Sequence, residues 1–272
     1  GTLQYSVLTG STTAGTVTGE SGGTGGLIGN SYGGQIEQCS SNAIVSGQYS
    51  SGGLIGQMSQ SNLIQSYFNG SVIGTSNVGG VVGAIDGNVA ISDCYNVGTV
   101  TGTSYVGGGF GYIYEVSIDN CYNSGEVAGS SEYIGGLVGY NYDSTVSRSY
   151  WDTQSSGQTT SAGGGGRTTT EMTFPYASNT YLDWDFTGVW SADTDNSNNS
   201  GYPYLQWQFE APELAPPTNL SAEYDADFEA ILLSWDPPSG SPLHYNIYRS
   251  LSGYIEDILL IDQSYDTNYG DL

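Results

Sequence analysis

The chain has 272 residues, 27 acidic against 3 basic, so its formal net charge is -24 and nearly every charge is negative. Arg148, Arg167 and Arg249 are its only bases and lysine is absent, which excludes partners that need a row of cations: nucleic acid and an anionic membrane face. Its 37% hydrophobic content and 42 glycines are those of a folded chain, and no window approaches the ~20 apolar residues of a membrane span.

The sequence opens at Gly1 without an initiating methionine, from which we expect a processed or excised piece of a longer precursor. It then repeats. Gly25-Gly-Leu-Ile-Gly29 recurs at Gly52–Gly56, Gly79–Gly83, Gly107–Gly111 and Gly135–Gly139, at spacings of 27, 27, 28 and 28. A second block follows each copy, as in Ile91-Ser-Asp-Cys94-Tyr95 and Ile118-Asp-Asn-Cys121-Tyr122. A third, Val-x-Gly, starts at Val17, Val45, Val72, Val100 and Val127. Three short apolar blocks per period, bounded by Gly, Ser or Asn, predict three short strands per coil of a parallel β-solenoid, since one unit cannot bury its apolar face until the next covers it. The expected fold is all-β, with about five coils of 27–28 residues over 1–151. The glycines are expected to permit the positive φ of tight corners and to avoid crowding where every coil repeats the same bend.

Two side-chain ladders follow from the register. Cys39, Ser66, Cys94, Cys121 and Ser149 share one position, which asks for a small, modestly polar side chain. Buried free thiols are expected there; the rival is a Cys94–Cys121 bridge, for which parallel side chains on neighbouring coils are poorly aimed. The next position carries Tyr67, Tyr95, Tyr122 and Tyr150. These rings either pack on one another and stiffen the rod, or point outward as an interaction surface for a sugar or a partner protein. Asn96 and Asn123 come next, where stacked amides can satisfy each other.

These units resemble the GLUG repeat, named for its Gly-Leu-apolar-Gly core and found in bacterial surface and secreted proteins, including haemagglutinin-like adhesins. The resemblance spans roughly residues 10–151 and implies an exported β-solenoid with a structural or accessory role and no catalytic residue. The fourth copy departs from it with Gly109-Phe110, and the fifth ends in Trp151-Asp152.

Residues 152–209 are polar up to Gly163-Gly-Gly-Gly166 and then dense in aromatics: Phe174, Tyr181, Trp184, Phe186, Trp190, Tyr202, Tyr204 and Trp207. Such a segment is expected to plug the open end of the last coil, as terminal repeats need a cap. Within it, Asp193, Asp195, Ser197 and Asn199 place oxygens at alternate positions, the pattern of a loop that wraps Ca²⁺, although Asn198 stands where such loops have Gly and Tyr204 where they have Glu. The alternative is a solvated polar loop. Apart from this Ca²⁺ candidate no cofactor is expected.

A Pro-rich linker is read at 210–217. Residues 218–272, with Ala230-Ile-Leu-Leu-Ser-Trp235 and His244-Tyr-Asn-Ile-Tyr-Arg249, resemble the opening strands of a fibronectin type III sandwich, which implies a core role for Trp235 and missing final strands. Those strands would come from a continuing chain or from another subunit.

No zinc-binding His-Glu-x-x-His, nucleophile elbow or phosphate loop is present, and Arg148 is the one repeat-region base that a lyase reading could use. The expected function is therefore a non-enzymatic structural or adhesive protein of a bacterial cell surface, extracellular, self-associating into a filament, fibre or sheath through solenoid ends or the incomplete sandwich. The alternative is a glycan-binding accessory module of a larger secreted enzyme or adhesin.

Overall fold

The structure is a computed structural model that describes residues 1–20 and 22–209 and, beyond them, the strands at 218–225, 230–236, 245–250, 258–264 and 268–271. The chain divides into two compact units, Gly1–Phe209 and Glu210–Leu272.

The first unit is a parallel β-solenoid of about five coils, preceded by short strands over Thr2–Thr18 that stack on the first of them. Each coil is identified below by its small-ladder residue: Cys39, Ser66, Cys94, Cys121 or Ser149. Equivalent residues pair in parallel register, as in Ile28↔Ile55↔Val82↔Phe110↔Val138, at the spacings of the glycine blocks. The first 28-residue spacing, Gly79 to Gly107, has a local cause. Between Asp86 and Val89 the Cys94 coil carries one residue more than the coil paired with it, absorbed as a bulge at Gly87-Asn88.

Each full coil has five short extended segments rather than three. In the Ser66 coil these are Tyr49–Gly52, Ile55–Ser59, Asn62–Ile64, Tyr67–Phe68 and Ser71–Ile73. In the Cys94 and Cys121 coils the second and third fuse into Val82–Ser92 and Phe110–Asp119. The glycine block therefore spans the break between Tyr49–Gly52 and Ile55–Ser59, whereas Val72 of the third block lies within the single strand Ser71–Ile73.

The corners also differ from expectation. Positive φ falls on polar residues in register, Gln38, Gln65, Asp93, Asn120 and Arg148, with angles of 51°, 46°, 55°, 50° and 41°. The block glycines keep their other expected role, relief of crowding at the repeated bend: a Cβ on Gly52 or Gly79 would collide with the carbonyl oxygen of Ile55 or Val82.

The apolar interior is continuous. Ile36, Leu63, Ile91 and Ile118 form one buried column, Val45, Val72, Val100 and Val127 another. Asn96 donates to Asn123 Oδ1 at 2.7 Å, and each amide closes its own corner by accepting from Gly98 or Gly125 N–H, so the asparagine stack is satisfied as expected.

Residues 153–167 cover the end of the Ser149 coil. Val127 and Gly136 donate N–H to the Ser156 and Thr160 carbonyls, Leu137 and Val138 donate to Ser161 Oγ, and Gly165–Arg167 adds a parallel strand beside Tyr150–Asp152. Residues 168–209, expected as part of an end plug, instead run back along the side of the solenoid. They begin with the short helix Thr169–Met172, capped reciprocally by Thr168 and Glu171.

The second unit has an antiparallel sheet in the order 218–225, 230–236, 268–271, and an antiparallel pair, 245–250 with 258–264. The expected linker at 210–217 and His244 lie outside the described residues, as does the side chain of Trp235. Among the described residues no helix is long and apolar enough to cross a membrane.

Candidate functional site

The tyrosine ladder is the floor of a second core. Tyr67, Tyr95 and Tyr122 stack with centroids 5.0 Å apart and planes within 8°. Tyr95, Tyr122 and Tyr150 are buried, and Tyr67 is partly exposed. What covers them is the strap at 168–209, through Met172, Tyr181, Trp184, Trp190, Tyr202 and Leu205. Both expectations for this ladder used the same rings; they do pack on one another, and the surface that three of them would offer is occupied by the chain's own residues.

Three tryptophans fasten the strap to three of the coils. Trp184 Nε1 donates to the Arg148 carbonyl, Trp190 Nε1 to Asp93 Oδ1 and Trp207 Nε1 to the Gln65 carbonyl, at 2.9, 3.0 and 2.9 Å. All three acceptors belong to left-handed corner residues at one register position, in the Ser149, Cys94 and Ser66 coils. Tyr95 and Tyr122 hydroxyls complete the seam on Gln208 Oε1 and the Pro203 carbonyl.

Burial pushes the phenols of Tyr95, Tyr122 and Tyr181 well above the ordinary value of 10.0. Because the folded chain holds these protons more tightly than the unfolded one, their contribution to stability is complete below pH 10.0 and declines as pH rises above it toward the folded values. In an alkaline titration the tyrosinate absorbance of this set should therefore appear together with loss of the β circular dichroism signal. Full ionisation with the fold intact would contradict the burial.

The small ladder is built from three free, buried thiols and two serines, with Cys94 and Cys121 on adjacent coils. Each side chain donates to the carbonyl two residues earlier: Ser66 Oγ and Ser149 Oγ at 2.8 and 2.7 Å, and Cys39, Cys94 and Cys121 Sγ at 3.2, 3.1 and 3.2 Å. Cysteine thus replaces serine in one repeated hydrogen bond, with a longer reach and weaker donation. Burial raises the Cys121 thiol well above its usual value and that of Cys39 less. Accordingly Cys94→Ser should cost less than about 1 kcal/mol in chemical denaturation, and a thiol reagent should label the native chain only after denaturant is added.

The candidate Ca²⁺ loop uses part of its oxygen set internally. Asp193 is buried; burial alone would raise its pKa, but N–H donors from Gly201, Asn199 and Asn198 outweigh this and hold it below the usual carboxylate value. Asp195 Oδ1 accepts from the backbone and hydroxyl of Ser197, while Asn199 turns its amide nitrogen to Tyr122. Asn199 thus ties the loop to the ladder. Among the described residues no group of three or more His, Cys, Asp or Glu comes together. Arg148, for its part, is exposed and paired with Asp119 and Asn120.

A second aromatic surface was not singled out from the sequence. Tyr105, Tyr112 and Tyr114 of the Cys121 coil stack on Tyr133, Tyr140 and Tyr142 of the Ser149 coil at 5.1, 5.5 and 5.3 Å. All six are at least partly exposed, Tyr133 and Tyr142 at 46% and 53%. Each pair is separated by 28 residues, the repeat period, and this is the signal that could have found it.

Comparison with known proteins finds no matching family model, no matching curated protein and no matching solved structure.

Proposed function

We propose that this chain is a non-enzymatic structural and adhesive module of a bacterial cell surface, an extracellular scaffold from which a filament, fibre or sheath can be assembled. The observation that carries this reading is the unbroken apolar column through the coils, braced from the side by a strap hydrogen-bonded to three corners. Such a body holds its shape and spends its aromatic residues on stiffness. The resemblance of the glycine blocks to GLUG repeats supports export and a structural role. The pairing of Arg148 with Asp119 supports the absence of lyase chemistry, since its charge is already engaged. In the second unit, the sheet joins the first, second and fifth strands while the third and fourth pair separately, an order in keeping with the start of a fibronectin type III sandwich.

The test is twofold. Fractionated cells of the source bacterium should carry the protein on their outer surface, and the purified chain should release neither reducing ends nor unsaturated products from neutral and acidic polysaccharides. Turnover of any polysaccharide overturns the reading. A second reading, a glycan-binding accessory module, is favoured by one observation, the exposed surface of six tyrosines.

A further inference from the structure

The exposed tyrosine stacks stop abruptly. Tyr112 and Tyr114 pair onward with Tyr140 and Tyr142, but one coil earlier the same positions hold Ala84 and Asp86, and before Ala84 stands Gln57. Replacing a ring by a methyl group on the rung beside Tyr112 leaves a groove of about 330 Å³, lined by Tyr112, Tyr114 and Ala84 and by the polar side chains of Gln57, Asn77 and Asp86. Within the stacks the rings lie nearly parallel, at 10° and 22°, so each covers its neighbour's face. On the Ala84 side no further ring follows, and the stack ends at the groove.

We propose that this groove binds a neutral oligosaccharide, one pyranose ring taking the place where the next tyrosine of the ladder would stand. The inference rests on the glycan-binding reading and gives it a site and a ligand class. A flat ring with apolar C–H faces suits an aromatic wall. Its hydroxyls, each both donor and acceptor, suit the amides of Gln57 and Asn77 and the carboxylate of Asp86. Charge selects within the class: the lining holds no base and the chain carries -24, so uronate or sulfated chains are repelled. With amides predominating over a single carboxylate, the polar lining is also a poor match for a cationic peptide. The shallow, open shape admits an extended chain that continues across neighbouring coils.

The full chain should be titrated calorimetrically with cellohexaose, xylohexaose, mannohexaose, maltohexaose and chitohexaose, with hexagalacturonate as the anionic control and hexalysine as the cationic one. At least one neutral sugar should bind and neither control should. Ala84→Tyr should weaken that binding at least about tenfold while leaving circular dichroism and melting unchanged, because it extends a stack that Tyr112 and Tyr140 already make. Tyr112→Ala and Asn77→Ala should weaken it as well, and they decide the matter if Ala84→Tyr fails to fold.

If no neutral sugar binds, the site and the glycan-binding reading both fall. If a sugar binds equally well to wild type and to all three variants, the site is wrong and the reading survives elsewhere on the surface. Binding of hexalysine in place of sugar, or self-association that Ala84→Tyr abolishes in sedimentation, gives the groove to a peptide or to a second copy and overturns the proposal.

Discussion

Replacing Trp190 by alanine should destabilise the solenoid by about 3–5 kcal/mol, the range for emptying a buried aromatic site. Trp190 is fully buried, lies 4.4 Å from Trp184 between ring centroids and 6.0 Å from both Tyr95 and Tyr122, and joins the strap to two coils at once. Its loss opens a cavity in the second core and removes the indole N–H that Asp93 accepts. Trp190→Phe, which keeps most of the ring and loses that hydrogen bond, separates the two contributions. The hydrogen bond should account for about 1 kcal/mol of the difference. Denaturant midpoints with tryptophan emission and circular dichroism followed in parallel would check both. A change below about 1 kcal/mol for Trp190→Ala would mean that the strap contributes little to the stability of the coils.

Gly79→Ala should be as damaging, about 3 kcal/mol or more, for the opposite reason. The added methyl group meets the Val82 carbonyl oxygen and stands 2.9 Å from that of Gly109. Both are backbone atoms held in parallel ladders, so no side chain can swing away, and the displacement passes to the coils on either side. Gly87→Ala is the control. Gly87 has φ of +68° but nothing within 4 Å of an added Cβ, so only the left-handed strain of about 1–2 kcal/mol applies. If the two variants melt alike, close approach is not what the block glycines provide.

Repetition made the solenoid legible. The period, the register, the small ladder and the asparagine stack all follow from residues recurring at 27–28, because stacking turns sequence spacing into spatial adjacency. What repeats is read easily; what does not repeat is misplaced. Trp184, Trp190 and Trp207 have no common spacing, so nothing in the chain says that they meet Tyr150, Tyr95 and Tyr67 along one flank. Two aromatic sets, each without a partner on paper, were a hint that they partner each other. The left-handed corners were assigned to the wrong residues for a related reason. Glycine is the usual marker of positive φ, but here the sheets impose that conformation on Gln65, Asp93 and Arg148, and the ladders on either side hold it. The exposed tyrosines were overlooked because only two coils carry them, too few to register as a repeat.

The strap also limits how this architecture can evolve. Solenoids ordinarily lengthen by duplicating a unit anywhere along the array, since each touches only its neighbours. Here a unit copied anywhere between the Gln65 and Arg148 corners would move them apart while the chain from Trp184 to Trp207 stayed the same length. The lateral segment acts as a gauge matched to a set number of turns. Growth by duplication is compatible with it only upstream of the Ser66 coil, so related chains of different length should differ there and agree between the two anchoring corners.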